Sequence, residues 1–197
     1  VVFGITGGSG SGKTSVSKML EKLGVHIIDT DVIAHEIVEP NSDCLNELVD
    51  YFGDSILNDD KTLNRKKLAS IAFSDKLKTE ALSNITHKYI KAEVVKDINT
   101  TDAELVGIDG AVIIGSNVEP LCEFIVSVIA DKQSRITRIK TRDNITDEQA
   151  IQRINAQNDD EFYKENSMYI IYNNGDIAQL ESDVVGLFNK IKGNSFE

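Results

Sequence analysis

The sequence predicts an α/β fold with a five-stranded parallel sheet flanked by helices. Three observations predict it: five short segments are rich in β-branched residues, helical patterns separate them, and a glycine-rich loop directly follows the first segment. The segments are nearly all apolar at their centres, which is typical of parallel strands covered on both faces. They span residues 1–6, 25–29, 104–109, 124–130 and 168–173.

Composition narrows the class of protein. The chain has 197 residues, of which 41% are hydrophobic and 27% are charged, as in an ordinary soluble globular protein. No run of about 18 apolar residues is present, so we expect no membrane span, and residues 1–6 lack the basic leader of a signal peptide. The net charge of −11 argues against a nucleic-acid-binding surface. Cys44 and Cys122 form no CxxC pair, so we expect reduced, buried thiols in a cytoplasmic protein. As a separate expectation, the protein is a monomer or a weak oligomer.

The glycine-rich loop fits the pattern GxxxxGK[ST], and it lies between an apolar strand and an amphipathic helix, as that pattern requires. Glycines let the backbone turn its N–H groups toward a phosphate. The lysine reaches the β- and γ-phosphates, the threonine hydroxyl binds Mg²⁺, and the helix adds its positive end. We therefore predict a P-loop NTPase fold with an ATP·Mg²⁺ site at Gly8, Ser9, Gly10, Ser11, Gly12, Lys13 and Thr14.

Among P-loop proteins, a small-molecule kinase fits best. No NKxD motif follows the fourth strand, which disfavours a regulatory GTPase, and the chain is short for an ATPase machine. A kinase also needs a site for a hydroxyl acceptor, and the long helical stretch between the second and third strands offers one. We predict a nucleotide-binding core at 1–31, 101–131 and 166–197, a helical acceptor domain at 32–100 and a helical lid at 132–165. The lid contains a capping box that begins at Thr146.

Two carboxylates follow predicted strands. Asp31 comes just after the second strand, which we expect next to the phosphate loop, where a carboxylate orients an acceptor hydroxyl and takes its proton. The alternative is that Asp31 only caps the helix that begins at Val32. Asp109 ends the third strand, and it either binds Mg²⁺ through water and directs the loop, or caps the turn before Gly110.

Arginines in the predicted lid are candidates for charge stabilisation. Arg138 and Arg142 are four residues apart and share a helix face, and Arg135 lies one turn earlier. Over bound phosphates they would neutralise the charge that develops on the transferred group. The alternative is a solvated basic face paired with Asp143 and Asp147.

Several stretches together resemble the dephospho-CoA kinase family, along almost the whole chain. The phosphate loop with its preceding strand looks like the family's opening, and the segment Ile28-Asp29-Thr30-Asp31-Val32-Ile33-Ala34-His35 is similar to its most distinctive motif. Leu63-Asn64-Arg65-Lys66-Lys67-Leu68 resembles its LDRxxL segment. Residues 138–143 and 153–157 resemble its lid and the following helix, and Asn173-Asn174-Gly175 resembles its Asn-x-Gly turn.

The resemblance implies ATP-dependent phosphorylation of the ribose 3′-hydroxyl of dephospho-CoA, with Mg²⁺ as cofactor. Asp31 would be the base, and Lys13 and Thr14 would handle phosphate and metal. Arg138 and Arg142 would act from the lid. Asn174 would contribute to the ATP site, and Arg65, His87 and Asp109 to the acceptor side.

Two departures from the family pattern affect the acceptor side. The family's Asp-x-Pro-Leu-Leu segment, which ends in Glu, appears here as residues 109–115 without the Pro and the Glu, and its His-Pro pair appears as His87-Lys88. His87 therefore also fits a packed or surface histidine. Two alternatives stay open for function: another P-loop nucleoside or metabolite kinase, or a nucleotide-binding protein that has lost phosphoryl transfer.

Overall fold

The computed structural model describes residues 1–194 and contains one five-stranded sheet in which every pairing is parallel. The strands are β1 (Val2–Thr6), β2 (His26–Asp29), β3 (Val106–Asp109), β4 (Phe124–Ile129) and β5 (Tyr169–Tyr172). Their order across the sheet is β2-β3-β1-β4-β5. The predicted five-stranded parallel α/β fold is confirmed, and each strand begins and ends within two residues of its expected bounds.

The chain divides into two compact units, the first of which comprises Val1–Asp29 and Thr101–Glu197. Its core lies between the sheet and two helices, α1 (Lys13–Lys22) and α9 (Ile177–Asn194). Apolar residues from β1, β4, α1 and α9 are almost fully buried there, because the central strands are covered on both faces. Residues 195–197, which belong to the predicted core, lie outside the described part of the chain.

The second unit, Thr30–Thr100, is helical. It contains α2 (Thr30–Glu36), α3 (Asp43–Phe52), α4 (Arg65–Ala72) and the long α5 (Lys76–Thr100), which packs against the other three. The side chains of Ser42 and Asn64 cap α3 and α4 by accepting hydrogen bonds from backbone N–H groups in the first turn.

Three further helices lie in the first unit, between β4 and β5: α6 (Lys132–Asp143), α7 (Asp147–Asn155) and α8 (Asp160–Glu165). The capping box predicted at Thr146 is present, with reciprocal hydrogen bonds between Thr146 and Gln149. Helices α6 and α7 share a small apolar cluster formed by Ile136, Ile139, Ala150 and Ile154.

One expected neighbour relation is wrong. We expected the second strand to lie beside the strand that leads into the phosphate loop, but β3 lies between β1 and β2. The register places Asp109 opposite Ile5 on one side and opposite Asp29 on the other. A parallel crossover can skip one position in the sheet, and strand patterns alone do not reveal when it does.

Both cysteines are free thiols, Cys44 buried and Cys122 partly buried. Burial, reinforced by a nearby glutamate in each case, raises the pKa of each thiol to about 11. None of the helices described in residues 1–194 combines the length and apolar character needed to cross a membrane.

Candidate active site

The phosphate loop connects the end of β1 to the first turn of α1, as its sequence pattern requires. Gly12 caps the helix with φ 95°, a left-handed conformation that favours glycine. The backbone N–H groups of Ser15 and Val16 both donate to its carbonyl oxygen. A Cβ atom at Gly12 would also overlap the Nδ2 atom of Asn173, so both backbone and packing require glycine at this position.

Lys13 lies at the start of α1 and forms an ion pair with Asp109 at the end of β3. The two side chains are only 14% and 4% exposed. The charged groups therefore meet in a place largely shielded from water, where electrostatic interactions are strong. Through Asp109, the end of β3 is connected to Lys13, the lysine expected to bind the β- and γ-phosphates.

Thr14 follows Lys13 and is exposed on the first turn of α1. Within residues 1–194, no cluster of three or more His, Cys, Asp or Glu side chains could hold a metal ion by itself. Mg²⁺ in phosphotransferases needs few protein ligands, since substrate phosphates and water complete its shell. A hydroxyl at Thr14 and a carboxylate at Asp109 are of the required oxygen chemistry.

Arg138 contacts the back of the phosphate loop. Its Nη1 atom donates to the carbonyl oxygens of Gly10 and Ser11 at 3.1 and 3.2 Å, and Nη2 donates to the carbonyl of Asn173 at 3.0 Å. Asn173 in turn donates to the Ser11 carbonyl at 2.8 Å. Arg138 thus connects the start of the lid segment, the loop and the end of β5.

Arg142 has a different partner. Its guanidinium donates two hydrogen bonds to the Asp143 carboxylate, at 2.7 and 2.9 Å, and it is 59% exposed. Asp143 also pairs with Arg153 on α7. Arg142 and Arg138 are therefore one helical turn apart but bind separate partners. Asp143 is one of the two carboxylates that the alternative interpretation, a solvated basic face, named as partners. The other, Asp147, pairs with Lys140.

Arg142 and Arg153 together change the pKa of the Asp143 carboxylate, and this change can be measured. Hydrogen bonding from Arg142, together with the charge of Arg153, lowers its pKa from 3.8 to about 2. A lowered folded-state pKa stabilises the fold fully above pH 3.8, and this contribution is lost as the pH falls through about 2. We expect a carboxyl NMR titration of Asp143 to show this low midpoint, and Arg142→Ala to move it back toward 3.8. A midpoint unaffected by that substitution would contradict the pairing.

The other predicted site residues occupy two places. The Asn174 Oδ1 atom accepts a hydrogen bond from the Asp131 N–H at 2.8 Å, so this side chain connects the segment after β5 to the start of α6. In the second unit, Arg65 and His87 line one cavity of about 300 Å³ whose wall is otherwise mostly apolar, with Leu48, Leu68 and Leu82 among its residues.

Asp31 lies in the second unit and is exposed in the first turn of α2, which begins at Thr30. The expected alternative, an N-cap for a helix that begins at Val32, is therefore wrong, because Asp31 is already helical.

Sequence reasoning assigned no role to Gln157 or Asn173 and named Arg135 only among the lid arginines for charge stabilisation, yet each of the three contacts the phosphate loop. The sequence contained two indications of these contacts. Arg135 lies one turn before Arg138, and Gln157 ends the segment 153–157 that resembles the family's helix after the lid. Neither signal specifies a partner, because the contacts join residues more than 120 positions apart.

The altered segment after Asp109 forms a hydrogen bond to a carboxylate further along the chain. Gly115 stands where the resembled family has Glu, and its N–H donates to the Glu119 Oε2 atom at 2.6 Å. The segment's Ala111 accepts a hydrogen bond from the Thr6 hydroxyl at 3.3 Å.

This chain is similar to a known protein family and to individual proteins. A family model described as dephospho-CoA kinase matches residues 1–179. The chain belongs to the dephospho-CoA kinase family. A dephospho-CoA kinase from Lactobacillus johnsonii is 34% identical over 192 residues, covering 96% of this chain and 97% of that protein. Membership of the dephospho-CoA kinase family makes the chain a kinase with a nucleotide as one substrate.

Solved structures agree. A dephospho-CoA kinase from Campylobacter jejuni superposes with a TM-score of 0.70 at 26% identity, covering 98% of each chain. A crystal structure from Thermus thermophilus has a TM-score of 0.83 at 24% identity and covers 96% of this chain and 97% of its own, which shows a shared fold. The dephospho-CoA kinase family thus accounts for the chain at the levels of sequence and fold.

Proposed function

We propose that this chain transfers the γ-phosphate of ATP, bound as its Mg²⁺ complex, to the ribose 3′-hydroxyl of dephospho-CoA, giving coenzyme A and ADP. The observation that carries the proposal is the relationship to dephospho-CoA kinases along nearly the whole chain, 34% identity over 192 residues. The geometry of the phosphate loop supports the donor half of the reaction.

On the donor side, backbone N–H groups of the loop and the first turn of α1 bind the phosphates. Lys13 exchanges part of its contact with Asp109 for the β- and γ-phosphates when ATP binds. Thr14 and Asp109 would hold Mg²⁺, which would neutralise phosphate charge. Arg138 holds the back of the loop through hydrogen bonds to its carbonyl oxygens. Asn174 holds the start of α6 near the same end of the sheet by accepting a hydrogen bond from Asp131.

On the acceptor side, Asp31 takes the proton of the 3′-hydroxyl. The second unit acts as the acceptor domain. Its cavity supports this role, because the Arg65 and His87 side chains offer groups for phosphates while the apolar wall suits the rest of an elongated substrate. Residues 132–165 act as a lid that excludes water, and Arg142 contributes its charge after it leaves Asp143.

The deciding experiment measures ADP release in a coupled assay with ATP, Mg²⁺ and one acceptor at a time. We expect turnover that depends on dephospho-CoA and stops when Mg²⁺ is chelated. Turnover with a nucleoside, gluconate or shikimate, but not with dephospho-CoA, would replace the proposal by another metabolite kinase. ATP binding by calorimetry without turnover on any acceptor would instead indicate a nucleotide-binding protein that has lost transfer.

A further inference from the structure

The side chain of Gln157, just after α7, contacts both the backbone and the side chain of Ser9 in the phosphate loop. The Oε1 atom accepts a hydrogen bond from the Ser9 N–H at 2.8 Å, and Nε2 donates to the Ser9 hydroxyl at 3.1 Å. A primary amide can make this double contact because it carries both an acceptor and a donor. The position of the Ser9 peptide is therefore set by a residue almost 150 positions away.

Arg135, in the first turn of α6, completes the same arrangement. Its Nε atom donates to the Ser9 carbonyl oxygen at 2.9 Å, and Nη2 donates to Gln157 Oε1 at 3.1 Å. Its guanidinium lies so close to Gly8 that a Cβ atom there would overlap Nη2. The Ser9 N–H, carbonyl and hydroxyl are thus all engaged by these two side chains, which we call the Ser9 brace.

The charge of Arg135 is poorly balanced by protein groups. Its side chain is 7% exposed, and among residues 1–194 the one carboxylate recorded within 4 Å is that of Asp160, at 3.9 Å from Nη1. A buried guanidinium bound chiefly to carbonyl oxygens retains most of its positive potential. Because it lies against an anion-binding loop, its charge adds positive potential next to the place where phosphate would bind.

We propose that Arg135 and Gln157 are positioning residues for ATP: through the Ser9 brace they fix the phosphate loop in its binding conformation and supply positive charge behind it. The inference rests on the proposed function only in that the loop binds ATP. Arg135 lies in the first turn of α6, and Gln157 lies just after the end of α7. The base of the lid segment is thereby part of the phosphate site.

The test measures ATP·Mg²⁺ affinity by calorimetry in Gln157→Leu, which removes both contacts to Ser9 and the acceptor for Arg135. We expect the dissociation constant for ATP to rise roughly tenfold, the loss of about one hydrogen bond's contribution. The KM for dephospho-CoA and the melting temperature should stay close to the wild-type values. The matched control is Gln152→Leu, an exposed glutamine on α7, which should leave ATP affinity unchanged.

A second variant keeps the proposal testable if Gln157→Leu does not fold. Arg135→Lys retains the charge but cannot bridge the Ser9 carbonyl and Gln157 at once, and it should weaken ATP binding several-fold. ATP affinity within twofold of wild type in the folded variants would overturn the proposal. So would equal losses for ATP and for dephospho-CoA with a lowered melting temperature, because that pattern indicates a purely structural role. The ATP dissociation constant, which is the first readout, does not depend on which acceptor the enzyme uses.

Discussion

Asp31→Asn is expected to lower kcat by roughly 10²- to 10⁴-fold, the range that a positioned general base contributes. Asparagine has nearly the same shape but cannot accept the proton of the 3′-hydroxyl at neutral pH. ATP affinity should change by less than about twofold, because the proposed role of Asp31 is proton transfer from the acceptor and not nucleotide binding. Steady-state kinetics with coupled ADP detection gives kcat, and calorimetry gives the ATP dissociation constant.

The control for this prediction is Asp59→Asn, which removes an exposed carboxylate from the same unit and should leave kcat unchanged. Turnover of Asp31→Asn close to the wild-type rate would remove Asp31 from the base role. A parallel loss of ATP affinity would show instead that the substitution disturbs nucleotide binding.

Gly12→Ala should weaken ATP binding by roughly 100-fold or more. An alanine at φ 95° is strained by about 1–2 kcal/mol, and its Cβ atom must displace Asn173 or the loop backbone. Displacing the loop turns its N–H groups away from the phosphates, and each charge-assisted hydrogen bond contributes roughly 1.5–3 kcal/mol. Losing two of them is enough for the expected change in the dissociation constant, which calorimetry measures.

Gly24→Ala separates backbone strain from the steric clash. Gly24 follows α1 with φ 97°, and no atom lies within 4 Å of a Cβ built there. This variant introduces similar backbone strain without the clash, so it should lower the melting temperature and yet bind ATP normally. Equal ATP affinity in the two alanine variants would mean that the Asn173 contact does not control the loop.

The elements that local sequence determines were predictable. Parallel strands buried on both faces are apolar throughout, so all five were located, and the Thr146 capping box depends on residues three positions apart. The position of β3 between β1 and β2 was not predictable, because strand patterns carry no information on which neighbour a strand chooses.

The site shows the same division. The phosphate loop is a contiguous motif, so Lys13 and its neighbours could be named from sequence. Its ion pair with Asp109 depends on strand order, and the contacts of Gln157 and Arg135 with Ser9 depend on how distant helices pack. For Arg142 the sequence allowed two partners, bound phosphate or a neighbouring carboxylate. Helical spacing shows which residues are neighbours, but it does not show which of them a long side chain contacts.

The two protonated cysteines have a consequence for an enzyme whose product would itself carry a reactive sulfhydryl. At neutral pH, groups with a pKa of about 11 exist as thiolate in only roughly one molecule in 10⁴, and thiolate is the form that attacks disulfides. Oxidised coenzyme A would therefore find almost no nucleophile on this chain with which to form a mixed disulfide. Burial of these two thiols therefore disfavours their covalent attachment to sulfur-bearing metabolites.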